Sequence, residues 1–269
     1  MDIGRAGISI EATDDLARQA RGYEQLGYDA IWIAGGQLSS LGLLDELAGA
    51  TERMTIGTAV IPTGVYPAEQ VARSYAGLET AAPGRFLVGL GAAQQPRSLG
   101  ALRDYLDRLD RDEPVVPVDR RYLAALGPRK LELARDRFAG AITLLVTPEF
   151  TEQARVALGG AQQLVMLLAV ADLDPVRARA TARETLGFLT QVPGYRAHLI
   201  RIGFSEGELD RLDDRVVDAL VPWGSAETVA AAVRKQWDAG ADQVIISPTG
   251  PGAEALAADL SELLGLRAG

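Results

Sequence analysis

An α/β fold, a (β/α)8 TIM barrel with an extra helical block between strands 7 and 8, is predicted by three features of the 269-residue sequence. Eight strand-like apolar runs recur along the chain, and helical patterns lie between most of them. One stretch, residues 54–94, reads as strand, helix and strand with almost nothing between them. Alternation of this kind demands a parallel sheet with right-handed crossovers. Eight repeats in a chain of this size fit a closed ring better than an open doubly wound sheet, which has fewer strands and a stronger phosphate fingerprint.

The strand runs are 3–10, 29–34, 55–61, 86–90, 122–126, 141–146, 164–170 and 243–247, each β-branched or apolar enough to be buried on both faces. Helical patterns occupy 14–26, 41–51, 67–80, 98–109, 129–138, 148–158 and 175–189. In the 54–94 unit Pro67 opens a helix whose apolar side carries Val71, Tyr75 and Leu78, and Pro83-Gly84 turns the chain into the next strand. Residues 26–33 and 239–246 repeat one order: helix end, glycine, aspartate, buried strand. Gly27 and Gly240 are expected as left-handed caps, and Asp29 and Asp242 as structural residues at the bottom of the barrel. The charged, proline-bearing connector 111–117 is expected on the surface. About 70 residues separate the seventh and eighth strands, enough for several helices, and this block is the candidate cap over the barrel mouth or the surface of a homodimer.

Composition narrows the function. With 48% hydrophobic residues the chain can bury one large core, so a single domain over 1–269 is expected. No window reaches the roughly 20 apolar residues of a membrane span, and the start lacks signal-peptide order, so a cytoplasmic location is expected. There is no cysteine and His198 is the only histidine, which removes thiolate chemistry and argues against a nitrogen- or sulfur-ligated metal. A net charge of −9 argues against nucleic acid. The partner expected is a small-molecule substrate. Lys130 and Lys235 are the only lysines, a poor basis for imine chemistry. The arginine and alanine bias points to a GC-rich genome such as an actinobacterial one.

In a barrel the active site forms from the loops after the strands. Those loops carry Glu11, Gly35-Gly36-Gln37, Pro62-Thr63, Ala92-Ala93-Gln94-Gln95, Gly127-Pro128-Arg129, Thr147, Asp172 and Ser247-Pro248-Thr249, a set poor in acids and bases. Glu11 is a candidate general base or a helix-entry residue. At Leu126-Gly127-Pro128-Arg129-Lys130, glycine after a strand and proline at the first helical turn leave amide donors beside two cations; a phosphate fits there, and so does an ordinary strand-to-helix turn. Ser225 reads as a helix N-cap, with anion binding as a second use. His198, among Tyr195, Arg196 and Arg201 in a helical surface segment, is a candidate functional group beside Tyr195. Gly89-Leu90-Gly91 lacks the third glycine and the distant acid of a dinucleotide fingerprint, so tight packing explains it better.

Several motifs together carry a family resemblance. They are Gly57-Thr58-Ala59-Val60, Gly84-Arg85-Phe86 running on to Gly89-Leu90-Gly91, Gly27-Tyr28-Asp29, residues 123–134, Val146-Thr147-Pro148-Glu149, and Trp223-Gly224-Ser225 leading to Ala239-Gly240-Ala241-Asp242. With these the chain resembles the luciferase-like monooxygenase family, and most of all its branch of coenzyme F-420-dependent oxidoreductases. The resemblance implies a flavin- or deazaflavin-dependent enzyme transferring hydride between F-420, or alternatively FMN, and an organic substrate. It also implies that Ala59, Val60 and Ile61 support the ring, and that Gly127, Pro128 and Arg129, or the Ser225 turn, face the phosphate-bearing tail. Gly91, Gln94 and Thr147 complete the candidate cofactor site, and His198, Tyr195 and Glu11 are the candidate catalytic residues. Where relatives carry acidic or histidine residues this chain has Ala34-Gly35-Gly36 and Ala92-Ala93-Gln94. That stripping favours an alternative reading, a repurposed barrel that binds a metabolite or performs a non-redox step without flavin. A nicotinamide dehydrogenase is the third reading.

Overall fold

The computed structural model describes residues 2–33, 38, 40–92 and 98–266. Its strands are β1 (Ala6–Ile10), β2 (Ala30–Ile33), β3 (Thr55–Thr58), β4 (Ile61–Pro62), β5 (Phe86–Gly91), β6 (Arg121–Ala124), β7 (Gly140–Leu144), β8 (Gln162–Val170) and β9 (Gln243–Thr249). All pairings are parallel and run β3-β2-β1-β9-β8-β7-β6-β5, and a β3–β5 pairing with Ile56 opposite Phe86 closes the ring. β3 and β4 are two parts of one ring strand, separated at Ala59 and Val60, whose shared peptide is cis. The result is a closed eight-stranded (β/α)8 barrel, and each of the eight sequence runs overlaps one of its strands.

The interior is filled rather than hollow, as close packing of a small barrel requires. Trp32, Leu87, Tyr122, Leu164 and Ile245 form an inner cluster, in which Trp32 and Tyr122 meet edge to face with centroids 6.2 Å apart. Trp32 Nε1 donates to Gln243 Oε1 at 2.8 Å, satisfying the indole inside the barrel. Such bulk leaves no room elsewhere in the layer. A Cβ on Gly57 would strike the Trp32 ring, and one on Gly89 would land on the carbonyl oxygen of Thr58.

Helices surround the ring: α1 (Leu16–Gln25), α2 (Leu43–Ala50), α3 (Ala68–Ala81), α4 (Ser98–Arg111), α5 (Pro128–Arg137), α6 (Pro148–Leu158) and α7 (Pro175–Leu189). The predicted helical block is present. It continues as α8 (Pro193–Arg201), α9 (Glu206–Arg211), α10 (Asp214–Leu220) and α11 (Ala226–Asp238), and it packs a core of its own, including Leu186, Leu199, Phe204 and Val217, onto Leu145, Leu168 and Val170 at the ends of β7 and β8. Proline at the first turn of α5, α6, α7 and α8 starts each helix where its missing N–H costs nothing. A last helix, α12 (Ala253–Leu264), lies outside the sequence assignment; Leu256, Ala257 and Leu260 form its buried stripe.

The aspartates of the internal recurrence are structural. Asp29 accepts from the Ala6 amide at 2.9 Å, Asp242 from the Gln163 amide at 2.7 Å, and Gly27 and Gly240 have φ of 86° and 104°. The 111–117 connector departs from its surface expectation at Val116, which is buried because the buried guanidinium of Arg121 reaches its carbonyl as well as that of Leu109. Arg121 also pairs with Asp110 at 2.6 Å, so a cation inside the fold is compensated on several sides. Among the described residues no helix is long and apolar enough to cross a membrane.

Candidate active site at the barrel mouth

A cavity of about 390 Å³ opens at the carboxyl ends of the strands, near the lower end of the size range of small-molecule sites. Its floor is apolar: Ala59 and Val60 from the break between β3 and β4, Ala124 from β6, Ile142 and Leu144 from β7, and Met166 from β8. Val60 can lie there because Gly91 on the neighbouring strand has no side chain; a Cβ at Gly91 would meet Val60 Cγ2 at 2.5 Å. The β6–α5 turn, Leu126 to Lys130, forms one wall, and α8 closes over the other with Gly194, Tyr195, Ala197 and Arg201.

The electrostatics of this cavity run opposite to those of the chain. Among the described residues no carboxylate lines it, yet Arg129, Lys130 and Arg201 converge on it. Arg201 Nη1 donates to the carbonyl of Leu126 at 3.3 Å, which fixes the guanidinium beside the turn. Among the described residues twelve other arginines sit in ion pairs, and none of these three cations does. Burial lowers the pKa of the half-buried Lys130 from the ordinary lysine value. Gly127 is the N-cap of α5 and offers no capping side chain, so the positive end of the helix faces the same corner. An apolar slot ending in uncompensated cations fits a planar ring with an anionic tail. The donor set is therefore compatible with a flavin or deazaflavin.

Six of the sequence candidates meet here: Ala59, Val60, Gly127, Pro128, Arg129 and Tyr195. Burial raises the pKa of the half-buried Tyr195 hydroxyl, which keeps it protonated. The remaining candidates are placed elsewhere. Ile61 points into the core at 1% exposure, and Gly91 stands behind Val60. Thr147 caps α6 by accepting from the Phe150 amide, and Ser225 caps α11 by accepting from the Thr228 amide. Glu11 is exposed and does not line the cavity, and Gln94 lies outside the described residues, as do Ala34 to Gln37. Lys130, one of the two cations read beside the Gly127-Pro128 turn, and Arg201, read among the polar neighbours of His198, also line the cavity. Two wider grooves, about 760 and 890 Å³, flank Ser225 at the start of α11; they share no residue with the mouth cavity, and the first is lined by Asp172, Glu227, Asp259 and Glu262.

His198 is not in the surface setting expected of it. It is fully buried on the inner face of α8, its ring edge-on to Phe150 at 4.5 Å, with Nε2 donating to the Leu145 carbonyl at 3.1 Å. A carbonyl can only accept, so the Nε2–H tautomer is present and the bare Nδ1 has no partner among the described residues. Burial, reinforced by the charge of Arg201, lowers its pKa to about 4. Between that value and the unfolded histidine value of about 6.5 the unfolded chain binds the extra proton, so stability falls as pH drops through this window. The expected loss is on the order of 3 kcal/mol, read as a lower urea midpoint at pH 4 than at pH 7.5. In His198→Leu that pH dependence should flatten.

The barrel is shared with known proteins. A family model described as luciferase-like monooxygenase matches residues 2–116. Among solved structures, the coenzyme F-420-dependent tetrahydromethanopterin reductase of Methanopyrus kandleri superposes with a TM-score of 0.74 at 16% identity, covering 99% of this chain and 100% of that one. An F-420-dependent secondary alcohol dehydrogenase, solved with an F-420–acetone adduct, gives 0.71 at 15% identity over 99% and 100% of the two chains. The FMN-bound oxygenating component of 3,6-diketocamphane monooxygenase from Pseudomonas putida gives 0.63 at 13% identity over 96% of each. No curated protein matches the sequence. At these identities the superpositions show a shared barrel. Residues 2–116 carry the match to the luciferase-like monooxygenase family, the rest of the chain completes a barrel of the same fold, and the resemblance read from the sequence holds.

Proposed function

We propose that this chain is an oxidoreductase of the luciferase-like type, one domain over 1–269, which transfers hydride between a deazaflavin (F-420) or FMN and a small organic substrate. The observation that carries the reading is the mouth cavity itself, which among the described residues is an apolar slot ending at three cations without a carboxylate. When bound, the cofactor would supply a central ring position, a carbon in a deazaflavin and a nitrogen in FMN, that gives or takes hydride, chemistry that depends mainly on the orientation of two partners. Ala59 and Val60 would support the ring, and Gly127, Pro128 and Arg129, joined by Lys130 and Arg201, would hold the anionic tail. Tyr195, on the cap helix, excludes water from the slot and keeps a protonated hydroxyl at its edge. His198 anchors α8 from behind through Leu145 and does not reach the reactants. Thr147 and Ser225 serve the fold as caps, and Glu11 has no part in the cavity.

The stripped acid–base set favours a second reading, a barrel that binds an anionic metabolite without redox chemistry. Titration of the purified protein with F-420 and with FMN, followed by fluorescence and absorption, separates the two. Saturable binding of either in the micromolar range is expected. No binding of either at millimolar concentration would reject the redox reading in favour of the second.

A further inference from the structure

The mouth has a side that the cationic turn does not serve. Along β1 the odd positions face the barrel interior, because a Cβ on Gly7 would meet Gln243 Oε1 and Trp32 Nε1 of the inner layer. Ser9 is the next inward position and is half-buried, whereas Ile8 and Ile10 on either side of it are buried under the helices. Along β9, Gln243 and Ile245 belong to the inner layer, so Ser247 is the next inward position, also half-buried. Ile245 pairs with Met166, which lines the cavity floor, and Ser247 pairs one step higher with Leu168. The two serines therefore stand above the floor. They meet there, Ser247 Oγ to Ser9 Oγ at 3.3 Å, across 238 residues of sequence.

Their place in the ring is specific. In the order β3-β2-β1-β9-β8-β7-β6-β5 the β1–β9 seam lies nearly opposite β6, whose turn carries Arg129 and Lys130. Neither serine lines the 390 Å³ cavity itself; the pair stands beside it, on the strands that adjoin the Met166 floor and across the ring from that turn, where a second molecule bound next to the cofactor would meet it. Whichever serine donates to the other, one hydroxyl proton remains free, and among the described residues no other hydrogen bond engages either side chain. A linked hydroxyl pair can donate to a carbonyl oxygen and accept from an alcohol. It offers no charge to balance a carboxylate or an amine.

We infer that Ser9 and Ser247 form an uncharged substrate subsite, which takes the oxygen of a ketone or of the corresponding secondary alcohol. This inference rests on the redox reading for its orientation. The test uses cyclohexanone as the probe, its binding followed by ligand-observed NMR with FMN present, in the wild-type protein and in Ser9→Ala, Ser247→Ala and the double variant. Each single variant is expected to weaken cyclohexanone binding by about three- to tenfold, the worth of one hydrogen bond, with the double variant weaker again. FMN affinity should stay within about twofold, because losing one uncharged hydroxyl away from the tail removes none of its charge-assisted contacts. Circular dichroism checks the fold, and the single variants stand in if the double variant does not fold. Wild-type affinity for cyclohexanone in these variants, or no cyclohexanone binding by the wild-type protein, overturns the inference. Failure to take up FMN and F-420 is scored separately. It overturns the redox reading, while the probe's response to the serine variants still decides the subsite.

Discussion

The double variant Lys130→Glu, Arg201→Glu is expected to lose cofactor binding while keeping its fold. Both side chains line the mouth cavity, and among the described residues neither forms an ion pair whose loss would leave a buried acid behind. A charge-assisted hydrogen bond contributes about 1.5–3 kcal/mol, so removing two costs about 3–6 kcal/mol and weakens binding by at least about a hundredfold. The two new carboxylates repel a phosphate and add to the loss. Fluorescence titration with FMN or F-420 measures the effect, and a thermal melt within a few degrees of wild type shows that the barrel is intact. Wild-type affinity should itself fall with added salt, which narrows the difference between the two proteins, because the turn is partly open to solvent. An unchanged affinity in the double variant would place the anionic end of the ligand elsewhere.

The largest effect on stability is expected from Gly89→Ala. The added methyl would occupy the position of the Thr58 carbonyl oxygen, while Thr58 Oγ1 both donates to the Gly89 carbonyl at 3.1 Å and accepts from the Gly89 amide at 2.9 Å. Backbone, unlike a flexible side chain, cannot step aside. The clash falls where β3 and β5 close the ring, so relief requires opening the barrel at its own seam. Overpacking costs about 1–3 kcal/mol where neighbours can shift and more where they cannot. The upper part of that range is expected, as a fall in urea midpoint or as insoluble protein. Gly100→Ala, at a helical position where an added Cβ meets nothing within 4 Å, is the control and should leave stability unchanged or slightly raised.

These two variants differ in how visible their causes are in the sequence. Gly89 was readable as a packing glycine, since it lies in a buried strand and fails the dinucleotide pattern. Lys130 was visible beside Gly127 and Pro128, but Arg201 stands 71 positions further on in a helical segment, with nothing local to say that it turns back to the Leu126 carbonyl. His198 shows the opposite limit. Its neighbours Tyr195, Arg196 and Arg201 are polar, which suggested a wet surface, but on α8 the histidine falls on the face turned toward Phe150 and Leu145. α12 lay beyond the last strand and so outside the alternation that organised the rest.

The sequence by itself determined the ring: eight buried runs at strand length, with prolines and glycines between them, leave few arrangements besides a closed parallel barrel, because each element's type is encoded within its own ten or so residues. It also determined the turn at Gly127 and the poverty of acids and bases at the strand ends. Only the tertiary structure decided which side chains share the mouth. Arg129, Lys130 and Arg201 gather on one side, Ser9 meets Ser247 on the other, and His198 is withdrawn behind the cap. The physical reason is closure: inward-facing positions become neighbours only when the first strand pairs with the last and the helical block folds back over the rim.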